Sequence, residues 1–191
     1  FLQQQLKPNK GDILTVPAES PIYATMGIPA GVAFEDLDTN QLNETCYPLQ
    51  YEASMGEKVA KHNGAHYFTI GQRKGLNVGG TGKPLFVIAT NTKDNIIYTG
   101  LGEDHPGLLR HGLFVKKEDI HWIRPDKTLN VGDSASYVAR IRYRQPLSKA
   151  TLLMKENGLY VLFDRPQRGI ASGQFVAWYE GEETIGSGVI Y

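Results

Sequence analysis

Apolar and polar positions alternate with a period of two along much of this chain, the spacing of half-buried strands. The pattern is plainest in residues 134–144, SASYVARIRYR. There Ala135, Tyr137, Ala139, Ile141 and Tyr143 fall on one face of a strand, and Ser136, Val138, Arg140, Arg142 and Arg144 on the other. Shorter runs predict strands at Asp12–Val16, Lys58–His62, Leu85–Thr90, Ile96–Thr99, Ala150–Lys155, Leu159–Phe163, Phe175–Tyr179 and Thr184–Ile190. Turn formers separate them, among them Lys93-Asp94-Asn95, Glu156-Asn157-Gly158 and Glu180-Gly181. Short strands at close spacing, few helical periods and 21 glycines predict an all-β chain built of small barrels rather than a parallel sheet. The weakly periodic stretch Gly100–Gly107 sets a domain boundary near Leu109, giving domains at 1–109 and 110–191. The first residues, FLQQQLKP, carry a helical pattern that Pro8 ends. They read as the tail of a helix, so the chain is expected to be the C-terminal part of a longer protein.

Charge changes this picture. The formal net charge is zero, but residues 17–55 hold Glu19, Glu35, Asp36, Asp38, Glu44 and Glu52 with no Lys or Arg, and so carry −6 against +6 for the rest. Four prolines and weak periodicity there predict a long surface insertion with little regular structure. Hydrophobic content of 41% and charged content of 21% are ordinary for a globular protein. No apolar run reaches the length of a membrane span, and no signal peptide is visible. The single cysteine, Cys46, cannot close an internal disulfide, and a cytoplasmic setting is expected.

Three basic sites carry the candidate chemistry. Along SASYVARIRYR the guanidinium groups would stand roughly 6.6–7 Å apart by strand rise, close to the phosphate repeat of an extended nucleic-acid strand. The loop Gly71-Gln72-Arg73-Lys74-Gly75 sets two cations between glycines. The third site is Arg165-Pro166-Gln167-Arg168-Gly169, followed by Ser172-Gly173-Gln174. Arginine forks bind phosphate, glycines allow close backbone approach, and Gln72, Gln167 and Gln174 have amides suited to 2′-hydroxyls or base edges. Each site taken singly fits a solvated structural turn better. Together they leave RNA binding and a protein-binding adaptor both open.

Other signals fail on inspection. GGTGKP (79–84) lacks the first glycine of a nucleotide phosphate-loop, and Lys83 is followed by Pro84 instead of a hydroxyl residue. His62, His66, His105, His111 and His121 match no zinc spacing. Cys46 lies among acids, which disfavours a thiolate. No catalytic constellation and no metal ligand set emerges.

Five motifs in order nevertheless resemble one family, the tRNA-specific 2-thiouridylases: HYFTIGQRKGLNVGG (66–80), GEDHPGL (102–108), EDIHWI (118–123), RIRYRQ (140–145) and VLFDRPQRGIASGQFVAWYEGEETIGSGVI (161–190). The resemblance implies two small β domains, a central PRC-barrel-like domain and a C-terminal six-stranded β-barrel. The acidic stretch about 17–55 would be an insertion in the first. It implies a preceding PP-loop domain that uses ATP and magnesium to activate the wobble uridine, with sulfur carried as a cysteine persulfide. On this basis the chain holds no cofactor and no catalytic residue of its own, and is inactive alone. The partners implied are tRNA, through its anticodon region, and a sulfur-donor protein acting on the catalytic domain. By position, Arg142, Tyr143 and Gln174 match family contacts to tRNA. Arg140, Arg144 and Arg168 would join them, while Arg73 and Lys74 would touch tRNA backbone or the domain junction. The family has a short turn where residues 17–55 stand, and the insertion is expected to lie away from the tRNA path, because −6 beside phosphates would weaken binding.

Overall fold

The computed structural model describes residues 9–24, 26–29 and 31–191, so the helix expected in FLQQQL lies outside the described residues. The chain is mostly strand with one short α-helix, and it divides into two compact units. The first takes the chain up to Ala24 together with Leu49–Leu109; the second takes Thr25–Pro48 and Arg110–Tyr191.

In the first unit β1 (Gly11–Thr15) pairs antiparallel with β2 (Glu57–His62) and parallel with β4 (Ile96–Leu101), which pairs antiparallel with β3 (Leu85–Asn91). The sheet order is β2-β1-β4-β3. Both faces are covered. Ile13, Val87 and Ile97 pack beneath Ala65 and Leu76, while Leu14, Phe86, Ile88 and Tyr98 pack with Val16 and Leu108. Burial on both sides explains the unbroken apolar run LFVI at the start of β3.

The second unit is a closed barrel of β5 (Leu109–Trp122), β6 (Ser134–Arg140), β7 (Ser148–Lys155), β8 (Gly158–Arg168), β9 (Phe175–Glu180) and β10 (Glu183–Ile190), in the order β10-β5-β8-β7-β6-β9. Inward positions follow the alternation: Ala139 on β6, Leu152 on β7, Val161 and Phe163 on β8, Val176 and Trp178 on β9. The expected all-β class and six-stranded barrel are present. The long β5 was not expected from the sequence. Its pairing with β10 steps from Gly188↔Ile120 to Ile190↔Val115, and this irregularity carries the charged run Lys116–Asp119.

The acidic stretch differs most from expectation. Its two ends stay with the first unit, but residues 25–48 belong to the barrel unit. They are not devoid of regular structure either. Asp38 caps an eight-residue helix, α1 (Thr39–Cys46), its carboxylate accepting from the Gln41 N–H at 2.9 Å while the Gln41 side chain accepts from the Asp38 N–H at 2.9 Å. Leu42 and Cys46 on the helix, with Leu37 before it, bury against Phe114, Leu153, Tyr160 and Leu162 on the outside of the barrel wall formed by β5, β7 and β8. Tyr160 donates to the Asn43 side chain at 2.8 Å and accepts from Asn157 at 2.9 Å. The first six residues of β8 are therefore buried on both faces. An outward wall of Phe, Leu and Tyr cannot stay in water, and the segment covers it.

Candidate nucleic-acid interface

Six antiparallel strands give the barrel two rims. One gathers the end of β6, the turn 141–147, the end of β8, the loop 169–174 and the start of β9. Arg140, Arg142, Tyr143, Arg144, Arg168 and Gln174 all lie on it. The strand expected over 134–144 is shorter: it ends at Arg140, and the turn ahead of β7 contains Pro146, which has no N–H to give a ladder. Alternation stops there, so Arg142, Tyr143 and Arg144 are all exposed, and Tyr143 is 84% exposed.

The arginines are held by neutral acceptors. Arg140 Nε and Nη2 donate to the Tyr179 hydroxyl at 3.3 and 3.2 Å, and Nη1 donates to the Tyr143 carbonyl at 3.1 Å. Its guanidinium lies 5.0 Å from the Tyr179 ring and 5.3 Å from the Tyr143 ring. Arg142 Nη2 donates to the Gly169 carbonyl at 2.8 Å, tying the two loops of the rim together. Gly169 has φ 71°, and a Cβ there would sit 2.8 Å from that nitrogen, so the guanidinium occupies space a side chain would need. Arg144 and Arg165 are exposed. None of Arg140, Arg142, Arg144 and Arg165 forms an ion pair among the described residues. Arg168 is half-buried and already engaged.

The three glutamines have different fates. Gln72 closes its own loop, its carbonyl oxygen accepting from the Thr69 N–H at 3.2 Å and its amide donating to the Lys74 carbonyl at 2.8 Å. Gln167 is 5% exposed; it accepts from Gln145 and donates to the Arg165 carbonyl at 2.8 Å. Both amides are structural rather than free for RNA. Gln174 keeps a buried Oε1 without a partner among the described residues, an acceptor at the rim that folding leaves unused. Arg73 and Lys74 lie in the first unit, exposed on the loop whose backbone joins β3 through Gly71 N–H to the Val87 carbonyl at 2.8 Å.

Sequence reasoning missed Phe175. It is 64% exposed at the start of β9, which runs beside β6 with Arg140 paired to Ala177. Its signal was present, since Val176 and Trp178 point inward and so send Phe175, Ala177 and Tyr179 outward.

His62, His105 and Cys46 are structural. His105 Nε2 faces the Val16 carbonyl at 3.0 Å and Nδ1 accepts from the Gly107 N–H, and desolvation holds its pKa below the usual histidine value. His62 is likewise lowered by burial, between the Asn95 carbonyl and the Gly64 N–H. Burial pushes the Cys46 thiol up to about 12. No group of three His, Cys, Asp or Glu among the described residues is placed to hold a metal ion, and no helix among them is long and apolar enough to cross a membrane.

Known proteins match along the same division. Residues 111–190 match the model of an aminomethyltransferase β-barrel domain, and residues 50–101 that of a tRNA methyl transferase PRC-barrel domain. The chain is 52% identical to a tRNA-specific 2-thiouridylase MnmA of Flavobacterium johnsoniae and 50% to that of Christiangramia forsetii, in each case over 100% of this chain and 47% of the relative. It is 36% identical to the enzyme so named in Shouchella clausii, over 95% of this chain and 50% of the relative. The chain thus spans about half the length of the curated relatives it matches. Matched along its whole length in this way, it belongs to the tRNA-specific 2-thiouridylase family.

Proposed function

We propose that this chain is the tRNA-holding portion of a 2-thiouridylase that replaces the C2 oxygen of a wobble uridine with sulfur. One observation carries the reading: at a single barrel rim, arginines are oriented by neutral acceptors and left without carboxylate partners, beside exposed Tyr143 and Phe175. Guanidinium groups in that state neutralise phosphates, and exposed rings stack on unpaired bases. Arg140, Arg142, Arg144 and Arg168 fix the anticodon region in register, Tyr143 and Gln174 touch base or sugar, and Arg73 and Lys74 add contacts from the first unit. Gln174 is half-buried at the rim, and its side-chain amide is of the type that pairs with 2′-hydroxyls.

No group of three His, Cys, Asp or Glu among the described residues is placed to hold magnesium. Cys46, buried with its thiol pushed up to about 12, is unsuited to carry sulfur. In this reading the chemistry, the sulfur-donor contact and the nucleotide belong to the family's PP-loop domain, and the chain by itself is inactive in the cytoplasm where tRNA is modified. A filter-binding titration of the chain with tRNA at two salt concentrations tests it. Binding should weaken steeply with salt and fall on Arg142→Ala; salt-independent binding, or none, would favour a protein-binding adaptor.

A further inference from the structure

The first unit has its own unneutralised cations. Part of the loop 73–85 encloses a pocket of about 360 Å³, lined by Arg73 and Lys83 with Asn77, Gly80, Thr81 and Gly82. Both basic side chains are exposed, and neither forms an ion pair among the described residues. No carboxylate and no aromatic ring lines the pocket. The backbone N–H groups of residues 77–82 donate to no described residue. Asn77, Gly80 and Gly82 have φ values of 51°, 79° and 67°. These positive φ values make 77–82 a turn-rich segment whose N–H groups are left for a ligand rather than for a ladder.

The two ends of the loop are anchored. Leu76 is buried in the core of the first unit, Val87 N–H donates to the Gln72 carbonyl at 2.9 Å, and Gly102 N–H donates to the Pro84 carbonyl at 2.9 Å. The Thr81 hydroxyl closes the far turn by donating to the Lys83 carbonyl at 2.8 Å. Two cations and a row of unused N–H groups, with no carboxylate and no ring among the lining residues, match a compact anion with several acceptor oxygens. Lys83 is followed by Pro84 and a strand, with no helix, so this differs from a nucleotide-hydrolysing loop.

We propose that this pocket is a binding site for one phosphate group, with Arg73 and Lys83 as charged arms and the amides of 77–82 as its floor. The phosphate comes either from an RNA backbone or from free phosphate or pyrophosphate. The site stands independently of the barrel rim; only its RNA source rests on the tRNA reading above. The test is an amide-resolved NMR titration of the full chain with inorganic phosphate, with pyrophosphate, and with a short single-stranded oligoribonucleotide. Saturable shifts confined to residues 77–82 and their neighbours are expected with at least one probe. Lys83→Ala should weaken them about tenfold, Arg73→Ala/Lys83→Ala should remove them with the rest of the spectrum unchanged, and Lys93→Ala should leave them intact. Displacement of phosphate by the oligonucleotide identifies RNA as the source; its failure to displace identifies the free anion. Absence of saturable shifts with all three probes, or identical shifts in the double variant, overturns the site. Neither outcome bears on the rim, which is read separately through Arg144→Ala and tRNA.

Discussion

At the rim of the barrel between β5 and β6 and between β9 and β10, Arg124 grips Asp126 at 2.7 Å and Glu183 at 2.6 Å, and Lys127 meets Glu180 at 3.1 Å. At the other rim, Arg140 and Arg142 hydrogen-bond to carbonyls and a phenol. The residue types are the same, and the difference lies in the acceptors. A carboxylate orients a guanidinium and cancels its charge; a carbonyl or hydroxyl orients it and leaves the charge available. Exposed ion pairs add little to stability, so the first rim is mainly a neutral surface. The second is a set of aimed, uncancelled cations flanked by exposed rings. α1 and its flanks cover the outer face of β5, β8 and β7, while the basic rim lies at the ends of β6 and β8 and the start of β9.

The contrast can be broken in several places. Arg142→Glu/Arg144→Glu should lower tRNA affinity more than about 100-fold at fixed salt by filter binding, whereas Lys127→Glu should change it little. A comparable loss from Lys127→Glu would erase the distinction between rims. Leu42→Ala, on the covered wall, should cost about 2–5 kcal/mol in a urea unfolding titration without altering tRNA affinity of the folded protein. Deleting residues 26–47 would instead expose Phe114, Leu153, Tyr160 and Leu162, so it tests barrel stability rather than electrostatics. Tyr143→Ala should weaken tRNA binding by about 1–3 kcal/mol if the ring stacks on a base, and Tyr143→Phe should restore most of it; equal loss from both would assign the effect to the hydroxyl. The smallest effect is expected from Glu35→Gln/Asp36→Asn/Glu44→Gln, which spares the capping Asp38. Affinity should stay within about twofold at physiological salt, where charges more than about 8 Å apart are screened, and a large gain would place these acids beside the RNA.

The sequence showed most strands because β6, β7, β9 and β10 alternate over an apolar interior. It hid β5, whose apolar start and charged run Lys116–Asp119 belong to one irregular strand. The continuous LYVLF of β8 signalled burial on both faces, but what covers the outer face is set by residues more than a hundred positions earlier. The same separation explains the misread acidic stretch: its weak period conceals Leu37, Leu42 and Cys46, which are apolar only toward the barrel. At the site, the arginines were legible from spacing and composition. The engagement of Gln72 and Gln167 was not, since it depends on Lys74 and Arg165 carbonyls positioned by the fold. Strict alternation puts Arg142 and Tyr143 on opposite faces, but it fails where β6 ends, and both are exposed.

The most direct measurement is the slope of log affinity for tRNA against log salt, compared among the unaltered chain, Arg144→Ala and Lys127→Ala. Removing one cation that neutralises a phosphate should reduce the slope's magnitude by about 0.7–0.9. Arg144→Ala is expected to do so and Lys127→Ala to leave the slope unchanged. A slope that Arg144→Ala does not alter, or that both variants alter equally, would contradict the claim that uncancelled arginines at one rim hold the RNA.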